Sequence, residues 1–122
     1  MSTFVEHLQE VFIDFGEIQA KRMFGGYGIY YQGIMFGLVA DDFLYLKADS
    51  ETAQYFEQLG LRRFEYDNGK KIIALSYYLA PDDIFDDPEV AATWARRAYQ
   101  VAVRSKMKSK TTTRKKRRQN LK

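Results

Sequence analysis

Three pairs of adjacent carboxylates, Asp41-Asp42, Asp82-Asp83 and Asp86-Asp87, are the residues of this chain best suited to hold a hard cation or to act as general acid and base. Each pair falls at a turn or a helix start, where a carboxylate accepts backbone N–H groups and complements the helix dipole, so capping is the expected role. Gly25-Gly26-Tyr27-Gly28 has the glycine density of a phosphate cradle. A dinucleotide fingerprint would be followed by a helix, however, and here a strand pattern follows, with no Gly-Lys-Ser/Thr of a phosphate loop. These glycines are read as a bulge or tight turn and as room for close packing. His7 is the one histidine, and with no second histidine and no cysteine it lacks co-ligands for a transition metal; it is expected at the surface.

The absence of cysteine also excludes disulfides, Cys-ligated zinc, iron–sulfur clusters and thiol catalysis. Tyr27, Tyr30, Tyr31, Tyr45, Tyr66, Tyr77 and Tyr78 lie on expected strands, where aromatic rings can stack nucleic-acid bases. Their sequence neighbours are mostly neutral or acidic, which favours core and interface packing. The basic run Arg114, Lys115, Lys116, Arg117 and Arg118 can contact phosphates or remain solvated. Charge is divided sharply along the chain. Residues 1–103 hold 9 Lys/Arg against 16 Asp/Glu, a net of −7, whereas residues 104–122 hold 10 Lys/Arg and no acid, a net of +10. The overall +3 and the pI near 9.1 therefore describe the end of the chain, and the body is expected to repel polyanions.

The elements that must position these groups are organised around Met23–Lys47, which holds five of the eight glycines and reads as three successive strands. Tyr27–Tyr31, Ile34–Ala40 and Phe43–Lys47 are joined by Gln32-Gly33 and Asp41-Asp42, both of two-residue hairpin type. In the middle strand Ile34, Phe36 and Leu38 alternate with Met35, Gly37 and Val39, which makes it apolar on both faces and central. The near-repeat of Met23-Phe24-Gly25 in Met35-Phe36-Gly37 is read as chance.

Upstream, Phe4, Leu8, Val11, Phe12 and Phe15 recur at helical spacing, with Ser2 or Thr3 as cap, Glu6 completing a capping box and Gly16 as terminator. A short strand, Ile18–Arg22, follows. Downstream, Ala48-Asp49-Ser50 caps a short helix bearing Ala53, Phe56 and Leu59 and stopped by Gly60. Strands Arg62–Tyr66 and Lys71–Tyr77 flank Asp67-Asn68-Gly69. Ala80-Pro81-Asp82-Asp83 starts a helical turn. Asp87 then caps a last helix, with Pro88 at its first position and Val90, Trp94, Ala98 and Val101 as the buried stripe. The pattern predicts one two-layer α+β domain over 1–103, with an antiparallel meander sheet of five to six strands packed with helices in the order α-β-β-β-β-α-β-β-α. Residues 104–122 are expected as a basic, disordered tail, helical only in part. No stretch approaches the roughly 18 to 20 apolar residues of a membrane span, and the first residues do not read as a signal peptide, so a cytoplasmic protein is expected.

Met23, Phe24, Gly25, Gly26, Tyr27, Gly28, Ile29 and Tyr30, followed by Met35–Val39 and Leu44–Lys47, resemble the N-terminal domain of the TfoX (Sxy) competence-regulator family. The likeness continues in Ser76-Tyr77-Tyr78, Pro81-Asp82, Asp87-Pro88 and Trp94-Ala95, and spans residues 4 to about 103. The resemblance implies a small bacterial α+β domain with no enzyme activity and no cofactor. It also implies a role like that of transcriptional co-activators of DNA-uptake genes, which act alongside the cyclic-AMP receptor protein and carry a second helical domain; this chain has the basic segment in that place. Met23, Phe24, Gly25, Gly26, Gly28 and Trp94 enter this motif as structural residues, and no catalytic, cofactor or metal residue is carried over.

Two classes of function follow. One is a non-enzymatic regulatory module with a protein partner such as a transcription factor, helped by sequence-independent DNA or RNA contact through the basic run; a homodimer is compatible with it, and no membrane is involved. The other is a small-molecule-binding or enzymatic domain using the carboxylates and tyrosines near the glycine turn. Without a cysteine, a second histidine or a nucleophile–base spacing, the first is favoured.

Overall fold

The computed structural model describes residues 3–23 and 25–120, with side chains as far as Met107. Its elements run α1 (Thr3–Val11), β1 (Gln19–Met23), β2 (Gly26–Tyr31), β3 (Ile34–Ala40), β4 (Phe43–Lys47), α2 (Ala53–Glu57), β5 (Arg63–Asp67), β6 (Ile72–Leu79), a 3₁₀ turn (Asp82–Phe85) and α3 (Pro88–Asn120). This is the α+β order the sequence predicts. Six strands form one antiparallel sheet in the order β1-β2-β3-β4-β6-β5. The meander therefore holds for the first four strands, after which β6 inserts between β4 and β5.

Local chemistry accounts for the turns. Gln32 and Gly33 have φ of 49° and 82°, and Asp41 and Asp42 have 52° and 63°, the left-handed pair that a two-residue hairpin needs to match strand twist. Asp67 accepts the Gly69 N–H at 2.8 Å, and Asn68 accepts those of Lys70 and Lys71 at 2.9 Å each, which closes the β5–β6 loop. Asp87 accepts the Glu89 N–H at 2.9 Å and starts α3 as expected. Gly16 donates to the Phe12 carbonyl at 3.0 Å and ends the first helical segment. Thr3 already belongs to α1, so it is not the cap that pairs with Glu6.

The helices cover one sheet face. Val5, Leu8, Phe12, Ile29, Phe36, Val39, Leu44, Leu46, Phe56, Ala91 and Ala95 belong to the main core, while Leu38, Tyr45 and Tyr77 form a second cluster on the opposite face with Met35, Phe64, Leu75 and Leu79. The expected alternation along β3 fails at its centre. Ile29 pairs with Gly37 but Tyr30 pairs with Met35, so β3 carries an extra residue at Phe36. Such a bulge reverses the parity: Ile34 and Phe36 face the helices, but beyond it Val39 does so and Leu38 turns to the other side.

The stripe of α3 also needs correction. Ala91, Ala95, Ala98 and Ala102 are the residues in the main core, and of the expected stripe Ala98 and Val101 are buried. Val90 and Trp94 are only half-buried at its margin. Small side chains let the helix axis approach the sheet, and a tryptophan fits only at the flank, where its ring meets Phe56 at 5.0 Å in an edge contact. The backbone of α3 covers the basic segment to Asn120, and Arg104 bonds Asp49 at 3.0 Å, tying the helix beyond residue 103 to the entry of α2.

Candidate functional site

The glycine turn is built for packing. Gly25 has a φ of 79° with open space around it. A Cβ on Gly26 would collide with the Val39 carbonyl oxygen across the β2–β3 pair, and one on Gly28 would lie 2.9 Å from the Met23 sulfur and 2.8 Å from that of Met35. Phe24 lies outside the described residues. Gly26→Val should lower stability by about 3 kcal/mol, because backbone rather than a flexible side chain must yield. Thermal denaturation checks it, and an unchanged midpoint together with lost partner binding would reassign the turn as a contact site.

The carboxylate pairs sit at turns and helix starts, and of them Asp87 bonds the backbone as a cap, whereas the 3₁₀ turn has no side-chain cap. Asp41 and Asp42 form the β3–β4 turn, Asp82 and Asp83 open the 3₁₀ turn, and Asp87 caps α3. Among the described residues no three His, Asp or Glu gather where they could hold a metal ion. His7 is exposed and lies 3.6 Å from Glu10. No helix among the described residues is long and apolar enough to cross a membrane.

The tyrosines divide by face. Tyr27, Tyr31 and Tyr78 join the helix side, whereas Tyr45 and Tyr77 are buried in the cluster on the opposite side, where the pairing of Tyr30 with Met35 also puts Tyr30. Pairing changes their neighbours from those adjacent in sequence. Lys21 lies 4.7 Å from the Tyr30 ring, Lys47 5.1 Å from Tyr77, and Arg62 5.9 Å from Tyr45 while bonding its hydroxyl at 3.0 Å. The expectation of neutral or acidic neighbours is thus corrected: the cations arrive from β1, β4 and the residue just before β5. Lys47 could have been placed beside Tyr45 by strand parity; the other two needed the topology.

Burial, and then the charge of Tyr30, pushes the Tyr77 phenol from 10.0 up to about 12. Folding therefore favours the protonated phenol, and this contribution is intact below pH 10 and lost as pH rises towards 12. An alkaline absorbance titration should show a tyrosine ionising after the others, and Tyr77→Phe should delete that last step. A single step shared by all tyrosines would contradict the burial of this ring.

Two adjoining clefts of about 550 and 490 Å³ share Lys47 and Ser105, and neither touches the glycine turn. The larger is lined by Asp49, Glu51, Ser76 and Arg104 as well. Burial lowers the Lys47 amine, opposed by Asp49. Burial also acts to raise Asp49, but the Thr52 N–H, the Arg104 guanidinium, the Thr52 hydroxyl and the Glu51 N–H outweigh it and hold the carboxyl below its ordinary value. The Asp49 carboxylate is thereby consumed in turn and helix contacts. Arg114, Lys115, Lys116, Arg117 and Arg118 fall on the stretch of α3 whose side chains are outside the described residues.

A family model described as the TfoX N-terminal domain matches residues 10–102, from the end of α1 through all six strands to Ala102 of α3. The chain belongs to the TfoX N-terminal domain family. A curated relative, the DNA transformation protein TfoX1 of Aliivibrio fischeri, is 35% identical over 78 residues, covering 61% of this chain. The match takes in 37% of that protein, so the chain spans well under half of its relative's length. The TfoX match ends at Ala102, before the basic segment, and it contains both sheet faces and the glycine turn.

Sequence reasoning missed one constellation. The Arg97 guanidinium lies 3.9 Å from the Tyr55 ring centroid and 4.8 Å from that of Trp94, joining α2 to α3. Trp94 and Arg97, three residues apart on one helix, were its only local signal.

Proposed function

We propose that this domain is a non-enzymatic regulatory module of competence-regulator type, which acts by binding a protein partner such as a transcription factor. The basic end of α3 adds sequence-independent contact with nucleic acid. The observation that carries this reading is membership of the TfoX N-terminal domain family together with the curated relative's name, DNA transformation protein. The place of the carboxylate pairs at the β3–β4 turn, the 3₁₀ turn and the start of α3 supports it against an enzymatic role at the glycine turn.

A body of net −7 meets a DNA-bound complex through its protein component more readily than through phosphate, and the terminal charge offsets the repulsion that remains. Deletion and complementation in the native cell test the reading, with transcripts of DNA-uptake genes as the readout. A fall on deletion that the intact chain restores supports it. Unchanged transcripts under conditions that induce DNA uptake would overturn it.

A further inference from the structure

Two large apolar side chains are exposed on α2 and just beyond its end. Tyr55 is 43% exposed and Leu59, one turn further on, is 58% exposed. Trp94 is anchored to the core through Phe56, and the Arg97 guanidinium packs against both the Trp94 and the Tyr55 rings. Among the described residues the ion pairs are His7–Glu10 and Arg104–Asp49, so Arg97 has no counter-charge there. Its Nη1 is buried with no acceptor among the described residues, and the side chain as a whole is half-buried, so an outside group would meet the remaining N–H groups. A cation held by ring faces alone retains an unmet demand for an anionic acceptor.

We propose that Tyr55, Leu59, Trp94 and Arg97 form the docking surface for a protein partner that presents a side-chain carboxylate flanked by apolar residues. This rests on the reading of the domain as a partner-binding module and names the surface and the chemistry it selects. Tryptophan, tyrosine and arginine are the residue types in which interface binding energy concentrates, and these three are already held in place by stacking. With Nη1 buried, the Nε–Nη2 edge of the guanidinium is the one that can take a carboxylate through two parallel hydrogen bonds, beside the Tyr55 and Trp94 rings. A nucleic-acid strand fits less well, because it would bring many phosphates against a body of net −7, whereas a peptide brings one or two charges.

The probes are synthetic peptides selected on the intact protein from a displayed random library, each compared with its Asp/Glu to Asn/Gln analogue. The chain has a single tryptophan, so one indole N–H resonance reports on the surface. Selected peptides should pair Asp or Glu with apolar residues and shift the Trp94 indole. Their affinity should fall about tenfold or more in the amide analogues and in Arg97→Gln, with Arg97→Lys in between. Tyr55→Ala provides an independent loss should Arg97→Gln be unstable.

Selection of peptides without carboxylates, binding that leaves the indole unmoved, or undiminished binding to folded Arg97→Gln would each overturn the proposal. So would an indole shift produced by protein concentration alone, which would make a second copy the occupant, or by an oligonucleotide. If the surface fails while the transcript response stands, the partner docks elsewhere. If peptides dock here and transcripts do not respond, the surface stands and the regulatory reading falls.

Discussion

Phe36→Ala should remove about 3–5 kcal/mol of stability, a large share of the roughly 5–15 kcal/mol that holds a domain of this size together. Phe36 is fully buried, with its ring 5.8 Å from Phe12 in an edge contact and 5.3 Å from Phe15. Phe15 in turn lies 4.6 Å from Tyr31 and 6.1 Å from Tyr99, so one ring cluster joins the helical segment before β1 to the sheet and to α3. Truncation leaves a cavity that three elements would have to close together, and aromatic packing gives them little freedom to do so. Urea denaturation should show a much lower midpoint with the same slope. Stability within about 1 kcal/mol of the parent would mean that the β3 bulge does not aim this ring into the core.

Binding of the intact chain to duplex DNA should weaken roughly 500-fold between 50 and 200 mM salt, if about five of its terminal cations touch phosphates and the log–log slope is near −4 to −5. The structure moves the boundary for this test. Arg104 is bonded to Asp49, so the chain should be cut after Met107, leaving the fold intact and removing a segment with eight Lys/Arg and no acid. The remaining 1–107, with 11 Lys/Arg against 16 Asp/Glu, should not bind measurably. Fluorescence anisotropy on two unrelated duplexes across a salt series decides it. Equal binding by the shortened chain, or a strong preference between duplexes, would shift attention to Lys21, Tyr30 and the other cations on the sheet face opposite the helices.

Much of the secondary structure was legible because its causes are local. The pairs Gln32-Gly33 and Asp41-Asp42 declare two-residue turns through residues that accept left-handed backbone, and Asp87-Pro88 declares a helix start through a cap and a fixed φ. The spacing Ala91, Ala95, Ala98, Ala102 was also present in the chain, but apolar size drew the stripe towards Val90 and Trp94. How close α3 lies to the sheet decides between them, and no window of sequence contains that distance.

By itself the sequence determined the order of the elements, the turn types, the absence of thiol chemistry and the separation of an acidic body from a basic end, since each depends on residues within a few positions or on composition. Only the tertiary structure decided which side chains meet. The bulge at Phe36 exists because β2 and β3 pair out of step, and it sends Leu38 away from the face shared by Ile34 and Phe36. The insertion of β6 between β4 and β5 brings Lys47 against Tyr77, and the close approach of α3 to α2 sets Arg97 between Tyr55 and Trp94. Those contacts join residues far apart along the chain, and their register follows from how the whole core packs, because an apolar surface can be buried only once and the best-fitting arrangement of all elements excludes the others.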